Sequence, residues 1–251
     1  MRRAIRAAIA LTAAIMIAGC SSGGEPAAKT RTSTASLNTP NAAPATTAGT
    51  TVRLAWSHTA KDDGDTEVWY AARVTNPGKG AASVALDVRA LDKTGTIVGS
   101  SQETLPNIPH GTFDFFGSLG GGFTELTGTP AKIEVSQAKD AFGMAGAVEA
   151  PMLGTSELKL TQGSRDDLFS DAPLSYNLSV KVTNSTRDEI TGGVTQQVVL
   201  YDAKGNVVGG DSGSSDNVPD TLPAGMSYRE QWTGIPALSK ATRAVYTVWA
   251  G

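Results

Sequence analysis

The chain has 251 residues, a formal charge of −3, a pI near 5.4, 28 Gly, 12 Pro, 6% aromatic residues and a single Cys. That length allows one or two domains. The mildly acidic balance excludes nucleic acid as a partner, since phosphate neutralisation needs clustered Lys and Arg. A lone Cys excludes an intramolecular disulfide, a zinc ribbon and a CxxC redox pair.

Residues 1–19 read as an export signal. Arg2, Arg3 and Arg6 make a basic n-region, and Ala7–Ala18 is a run of 12 small and apolar residues. That run falls short of the roughly 20 residues needed to span a bilayer as a helix. It closes on Ile17-Ala18-Gly19-Cys20, which resembles the lipobox of bacterial lipoproteins. The resemblance implies cleavage between Gly19 and Cys20 and acylation of the Cys20 thiol, with palmitate among the chains. The expected mature chain has 232 residues, and the loss of three Arg takes its charge to −6. Each buried methylene adds about 0.8 kcal/mol, so two or three acyl chains hold a protein stably at a membrane. The expected location is the extracytoplasmic face of the cell membrane.

Residues 20–50 form the next segment. Of the 30 residues from Ser21 to Thr50, 26 are Ser, Thr, Ala, Pro, Gly or Asn, and Leu37 is the one bulky aliphatic. Such composition buries too little apolar surface to offset the entropy of ordering it. A disordered tether is expected, with ends roughly 30 Å apart by random-coil scaling.

From Val52 onward short strand-like runs alternate with turn residues. Leu174, Tyr176, Leu178, Val180 and Val182 alternate with Ser175, Asn177, Ser179, Lys181 and Thr183, the period-two pattern of a half-buried strand. Ser136–Ala150, rich in Ala and Gly, comes nearest to a helical pattern. An internal repeat organises the rest. Arg73-Val74-Thr75-Asn76 answers Lys181-Val182-Thr183-Asn184, and Val88–Asp92 with Gly95 and Ile97-Val98-Gly99 answers Val198–Asp202 with Gly205 and Val207-Val208-Gly209. Ile108-Pro109-His110-Gly111 answers Leu222-Pro223-Ala224-Gly225, and the opening strand Val52–Trp56 answers Leu158–Thr161. The first three offsets are 108, 110 and 114, so order is kept while loops lengthen. The expected fold class is all-β, with two tandem immunoglobulin-like sandwiches at 51–137 and 156–251 joined by a linker at 138–155.

The second unit resembles the FxLYD domain family of bacterial and archaeal surface proteins. The residues are Val182-Thr183-Asn184, Val198-Val199-Leu200-Tyr201-Asp202, Gly205 and Pro223-Ala224-Gly225, with Val198 where that motif has Phe. The first unit departs further, having Leu91 in place of the Tyr. The resemblance covers some 55 residues per unit, implies a structural module and carries no catalytic residues.

Few residues offer chemistry. Gly210-Asp211-Ser212-Gly213 matches the nucleophile tetrad of chymotrypsin-like proteases, but that reaction also needs a positioned His and Asp. His58 and His110 are the only histidines, and neither lies in that family's His context. Gly117–Gly122 lacks the Lys and helix of a phosphate loop. Two acidic loops occupy the same place in the two units, with Asp62, Asp63 and Asp65 in one and Asp166, Asp167 and Asp171 in the other. Such carboxylates suit calcium, which takes six to eight oxygens. Trp69 and Tyr201 should point to the outer faces of their sheets, where an aromatic ring suits a glycan or protein contact, or packing between the units. The reading is therefore a lipid-anchored, non-catalytic, cofactor-free binding or scaffolding module. Its partners are the membrane, through the lipid, and an envelope protein or glycan. The alternatives are a calcium or small-ligand accessory protein and a hydrolase.

Overall fold

A computed structural model describes residues 49–62, 65–121, 125–138 and 150–250, apart from the side chain of Asp62. The segment read as an export signal, Cys20, and the segment read as a tether up to residue 48 lie outside them. The chain from Pro44 onward forms one compact unit.

Among the described residues every element but one is a strand. The first half contains β1 (Thr51–Asp62), β2 (Asp65–Asn76), β3 (Ala82–Leu91), β4 (Ile97–Ile108), β5 (Gly111–Gly120) and β6 (Lys132–Gln137). The second contains β7 (Gly154–Gln162), β8 (Leu174–Thr183), β9 (Ile190–Thr191), β10 (Val194–Tyr201), β11 (Val207–Ser214), β12 (Thr221–Leu222), β13 (Ser227–Ala237) and β14 (Arg243–Ala250). The exception is a 3-10 turn at Arg165–Asp167.

Pairing reproduces the sequence repeat. In the first half the sheets run β1-β2-β5 and β4-β3-β6. In the second, β7-β8-β13 and β11-β10-β14 carry the same order, joined into one six-stranded sheet by the single pair Gly209↔Ala237. A Cβ on Gly209 would sit 2.2 Å from the Pro236 carbonyl, so this join requires glycine. Alternation fills each sandwich. Val68, Tyr70, Ala72 and Val74 face Val84, Leu86, Val88 and Ala90 within one core. Tyr176, Leu178, Val180 and Val182 share the other with Val198, Leu200, Tyr246 and Val248.

The repeated Val-Thr-Asn has a mechanical cause. Asn76 Nδ2 donates to the carbonyls of Gly80 (2.9 Å) and Ile108 (3.1 Å), and its Oδ1 accepts from Gly78 N–H (3.0 Å). Asn184 Nδ2 donates to Asp188 (2.8 Å) and Leu222 (2.9 Å), and its Oδ1 accepts from Thr186 N–H (3.0 Å). Asn76 ties the loop after its own strand to the end of β4 in the opposite sheet, and Asn184 ties its loop to the end of β12, which pairs with β9 in a separate two-stranded sheet. Both are fully buried. We expect Asn76→Ala and Asn184→Ala each to destabilise by about 1–3 kcal/mol, because buried carbonyls lose their donors. Denaturant midpoints should fall with unchanged m-values; unchanged midpoints would refute the brace.

The repeated Asp and Gly build matching hairpin turns. Asp92 Oδ1 accepts from the N–H groups of Thr94 (2.8 Å) and Thr96 (2.9 Å), and Asp202 Oδ1 from those of Lys204 (2.8 Å) and Asn206 (2.9 Å). Gly95 (φ 87°) and Gly205 (φ 84°) supply the left-handed step. These hydrogen bonds, led by the side chains of Thr94 and Asn206, hold both carboxyls below their ordinary range.

The opening strands correct the expected alignment. Ser57 pairs with Tyr70 and Leu160 with Leu178, so Leu160 stands level with Ser57 rather than with Leu54. The cause is unequal bulging. β1 shifts register between Leu54 and Trp56, and β7 between Ser156 and Lys159, where Glu157 takes φ 54°. β7 also begins at Gly154, inside the segment read as linker, and Met152 bridges to Trp249.

Candidate functional site

Among the described residues the most built-up constellation is the contact between the two halves. β2 shows it first, since Trp69 and Ala71 are as buried as Val68, Tyr70 and Ala72 on its other face. Ala60, Trp69, Ala71 and Phe116 from the first half form a third core with Ala172, Val199, Tyr201 and Val207 from the second. Trp56 lies 6.0 Å from Phe116 and 6.3 Å from His58, and His58 lies 5.9 Å from Trp69, ring centre to ring centre. Gly210 makes room for this contact, because a Cβ there would lie 2.6 Å from the Phe116 ring.

Polar groups fix the register of the contact. β5 is an edge strand whose outward backbone groups are met by one side chain of β10. Gln197 Oε1 accepts from Phe116 N–H (2.8 Å), and its Nε2 donates to the Asp114 carbonyl (3.0 Å). The amide thus acts as a one-residue strand and closes an edge that would otherwise invite pairing. Beside it the Asp114 carboxylate receives Arg73 through Nε and Nη2, both at 2.7 Å, and the Tyr201 hydroxyl at 2.9 Å. Arg243 stacks 4.0 Å from the centre of the Tyr201 ring. Burial, followed by the Asp114 charge, pushes the Tyr201 hydroxyl well above its ordinary value of 10. The Asp114 hydrogen bond likewise raises Arg73.

A second seam lies at Trp249 of β14, which belongs to the core of the first half. Its ring meets Phe113 edge-on (5.9 Å, 69°), and Nε1 donates to the Pro106 carbonyl (3.0 Å). Asn107 Nδ2 holds the Ala150 carbonyl at 2.7 Å.

The residues singled out in the sequence are placed as follows. Trp69 and Tyr201 do point outward from their sheets, but they are only 4% and 5% exposed, because each half covers the other's ring. Of the two uses expected of these rings, an exposed contact with a glycan or protein and packing between the units, the structure shows packing. Trp69 Nε1 donates to the buried Glu67 carboxylate at 2.7 Å. Of the acidic residues, Asp63 lies outside the described residues, as does the side chain of Asp62. Asp65, Asp166 and Asp167 are exposed, with Ser164 Oγ capping Asp166 N–H (3.2 Å). Asp171 instead stitches the halves. Its N–H donates to the Lys61 carbonyl (3.1 Å), and its Oδ1 accepts from Lys61 N–H (3.3 Å). Among the described residues no group of three or more His, Cys, Asp or Glu could hold a metal ion. Ser212 lies on β11 opposite Gln197, while His110 Nδ1 is 2.7 Å from the Gly78 carbonyl and His58 sits against the two tryptophans. Gly19 and Cys20 are outside the described residues; among the described residues no helix is long and apolar enough to cross a membrane.

Compared with family models, curated proteins and solved structures, the chain matches none. Sequence reasoning missed Arg73, Asp114, Gln197 and Arg243. Two signals were available: a carboxylate inside the aromatic run Phe113–Phe116, and the polar pair Gln196-Gln197 inside a strand otherwise made of Val, Leu, Thr and Tyr.

Proposed function

We propose that the chain is a lipid-anchored, non-catalytic binding or scaffolding module, with FxLYD-like halves, on the extracytoplasmic face of a bacterial cell membrane. One observation carries the anchoring. The chain's only Cys follows Ile17-Ala18-Gly19, immediately after a basic segment and a 12-residue apolar run. The folded part suits a rigid presenting body. Its most prominent aromatic rings brace one half against the other, and the hairpin turns at 92–95 and 202–205 and the exposed Asp166 and Asp167 are left for an envelope protein or glycan.

The test is metabolic labelling with palmitate and membrane fractionation of wild type and Cys20→Ala in a bacterial host. Wild type should carry label and sediment with membranes, while Cys20→Ala should lose the label and accumulate unprocessed. An unlabelled wild type, cleaved and released, would sink the reading. Crosslinking from the anchored protein in intact cells would then identify what it holds.

A further inference from the structure

The seam between the halves holds more positive charge than its own carboxylate can answer. On the outward face of the first sheet Arg53 pairs opposite Arg73, and Arg73 opposite Asp114, so β1, β2 and β5 set two arginines and one acid in a row. Asp114 is already committed. It holds Arg73 through Nε and Nη2, both at 2.7 Å, and accepts from the Tyr201 hydroxyl at 2.9 Å. Arg243 of the second half then covers the Tyr201 ring, 4.0 Å from its centre. Arg53 and Arg243 are exposed, and among the described residues neither has a carboxylate partner. Asp202, the acid that follows Tyr201, turns its carboxylate onto its own hairpin, at the N–H groups of Lys204 and Asn206.

Like charges directly opposite on neighbouring strands destabilise a sheet. The second half meets the same opposition and answers it internally. Lys181 stands opposite Arg229, and the edge strand β7 supplies Glu157, which hydrogen-bonds Arg229 and lies 4.0 Å from Lys181 Nζ. In the first half the corresponding edge strand, β1, supplies another cation, Arg53. The acid missing from the protein is left for a ligand. Guanidinium groups match the oxygens of carboxylate and phosphate, and several along one seam suit a polymer with repeated acidic groups better than a single small ion. The flank of the arginines favours sugar. Trp56 follows Arg53 on the same face of β1, level with Ala71. Its ring and that of His58 are only half-buried and lie within 26° of parallel, 6.3 Å apart. Half-open aromatic faces of this kind take the C–H face of a sugar ring while their polar edges stay wet. We propose that the seam is a binding site for an acidic glycan, whose acidic groups are held by Arg53, Arg73 and Arg243 while Trp56 stacks on a sugar ring. This deepens the reading of the chain as an envelope binding module and rests on it. Palmitate labelling tests the anchor and titration tests the seam, so each can fail alone.

The full chain in neutral detergent, titrated with polygalacturonate and followed by calorimetry, should bind saturably, and neutral dextran should not bind. Arg53→Glu supplies the absent acid from within. Arg53 has no partner to lose, so the thermal midpoint should hold or rise while affinity falls about tenfold or more, the worth of one hydrogen bond to a charged group. Lys181→Glu makes the same charge change on the face of the other half, and should leave affinity unchanged within about threefold. An equal loss in both variants would mean unspecific attraction and overturn the site, as would the absence of binding to polygalacturonate. If phosphatidylglycerol vesicles then sediment the wild type but not Arg53→Glu, the seam reads lipid headgroups and the glycan assignment is wrong.

Discussion

Trp249→Ala should be among the most damaging single substitutions in this chain, costing about 3–5 kcal/mol through the cavity it leaves. Trp249 is 4% exposed, yet the cavity would open in the other half of the molecule, against Phe113 and beneath the Pro106 carbonyl. For a folded part of this size the loss corresponds to a thermal midpoint lower by roughly 10 °C or more. Trp249→Phe keeps much of the ring volume and loses the hydrogen bond, so its cost should fall to about 1–2 kcal/mol. The same geometry predicts that residues 49–138 alone do not fold stably. That fragment lacks Trp249, Ala150 and Met152 from its core and exposes the face carrying Trp56, Trp69 and Phe116. Circular dichroism of the purified fragment checks this. A cooperative transition as high as that of the whole protein would show that the halves are independent after all.

This dependence explains what could and could not be read from the residues. Alternation at Leu174–Thr183 defines β8 to the residue, because one face of that strand is buried and the other is not. The repeats at Asn76 and Asn184, and at Asp92 and Asp202, were legible because each side chain satisfies backbone groups in its own half. Such local chemistry recurs wherever the fold recurs. The opening strands were misaligned because a bulge adds residues without leaving a periodic trace. The contact between the halves was harder still. Trp69 and Tyr201 have the right direction in sequence, but what covers an outward ring depends on how two sandwiches meet. The repeat itself is silent there, since Arg73 pairs with Asp114 across β2 and β5 while the equivalent Lys181 stands beside Arg229. The second half meets that like-charge pair from β7, where Glu157 hydrogen-bonds Arg229. The same strand pairing thus carries an internal contact in one half and an exposed charged face in the other.

Asp114 makes the sharpest electrostatic test of that contact. Its side chain is 5% exposed and Arg73's is 28% exposed, so Asp114→Ala should cost about 3 kcal/mol, the low end for breaking a buried pair. The penalty is the desolvated Arg73 charge plus the lost acceptor of the Tyr201 hydroxyl. Tyr201→Phe removes only the second and should cost about 1 kcal/mol. The two variants also separate in alkali. The folded state raises the Tyr201 hydroxyl above its unfolded value of 10, first by burial and then by the Asp114 charge. A group whose pKa folding raises contributes its full stability below the unfolded value and loses it as pH climbs through the folded one. Wild type should therefore lose stability as pH rises beyond about 10. Tyr201→Phe should lose less, because the phenol that resists ionisation is gone, and Asp114→Ala should fall between them, since burial still raises Tyr201 while the charges of Arg243 and Arg73 oppose it. Urea midpoints of the three proteins at pH 8 and pH 10.5 would resolve the order. Equal losses in all three would mean that Tyr201 is not held neutral by this contact, and that the buried carboxylate does not govern how the halves are joined.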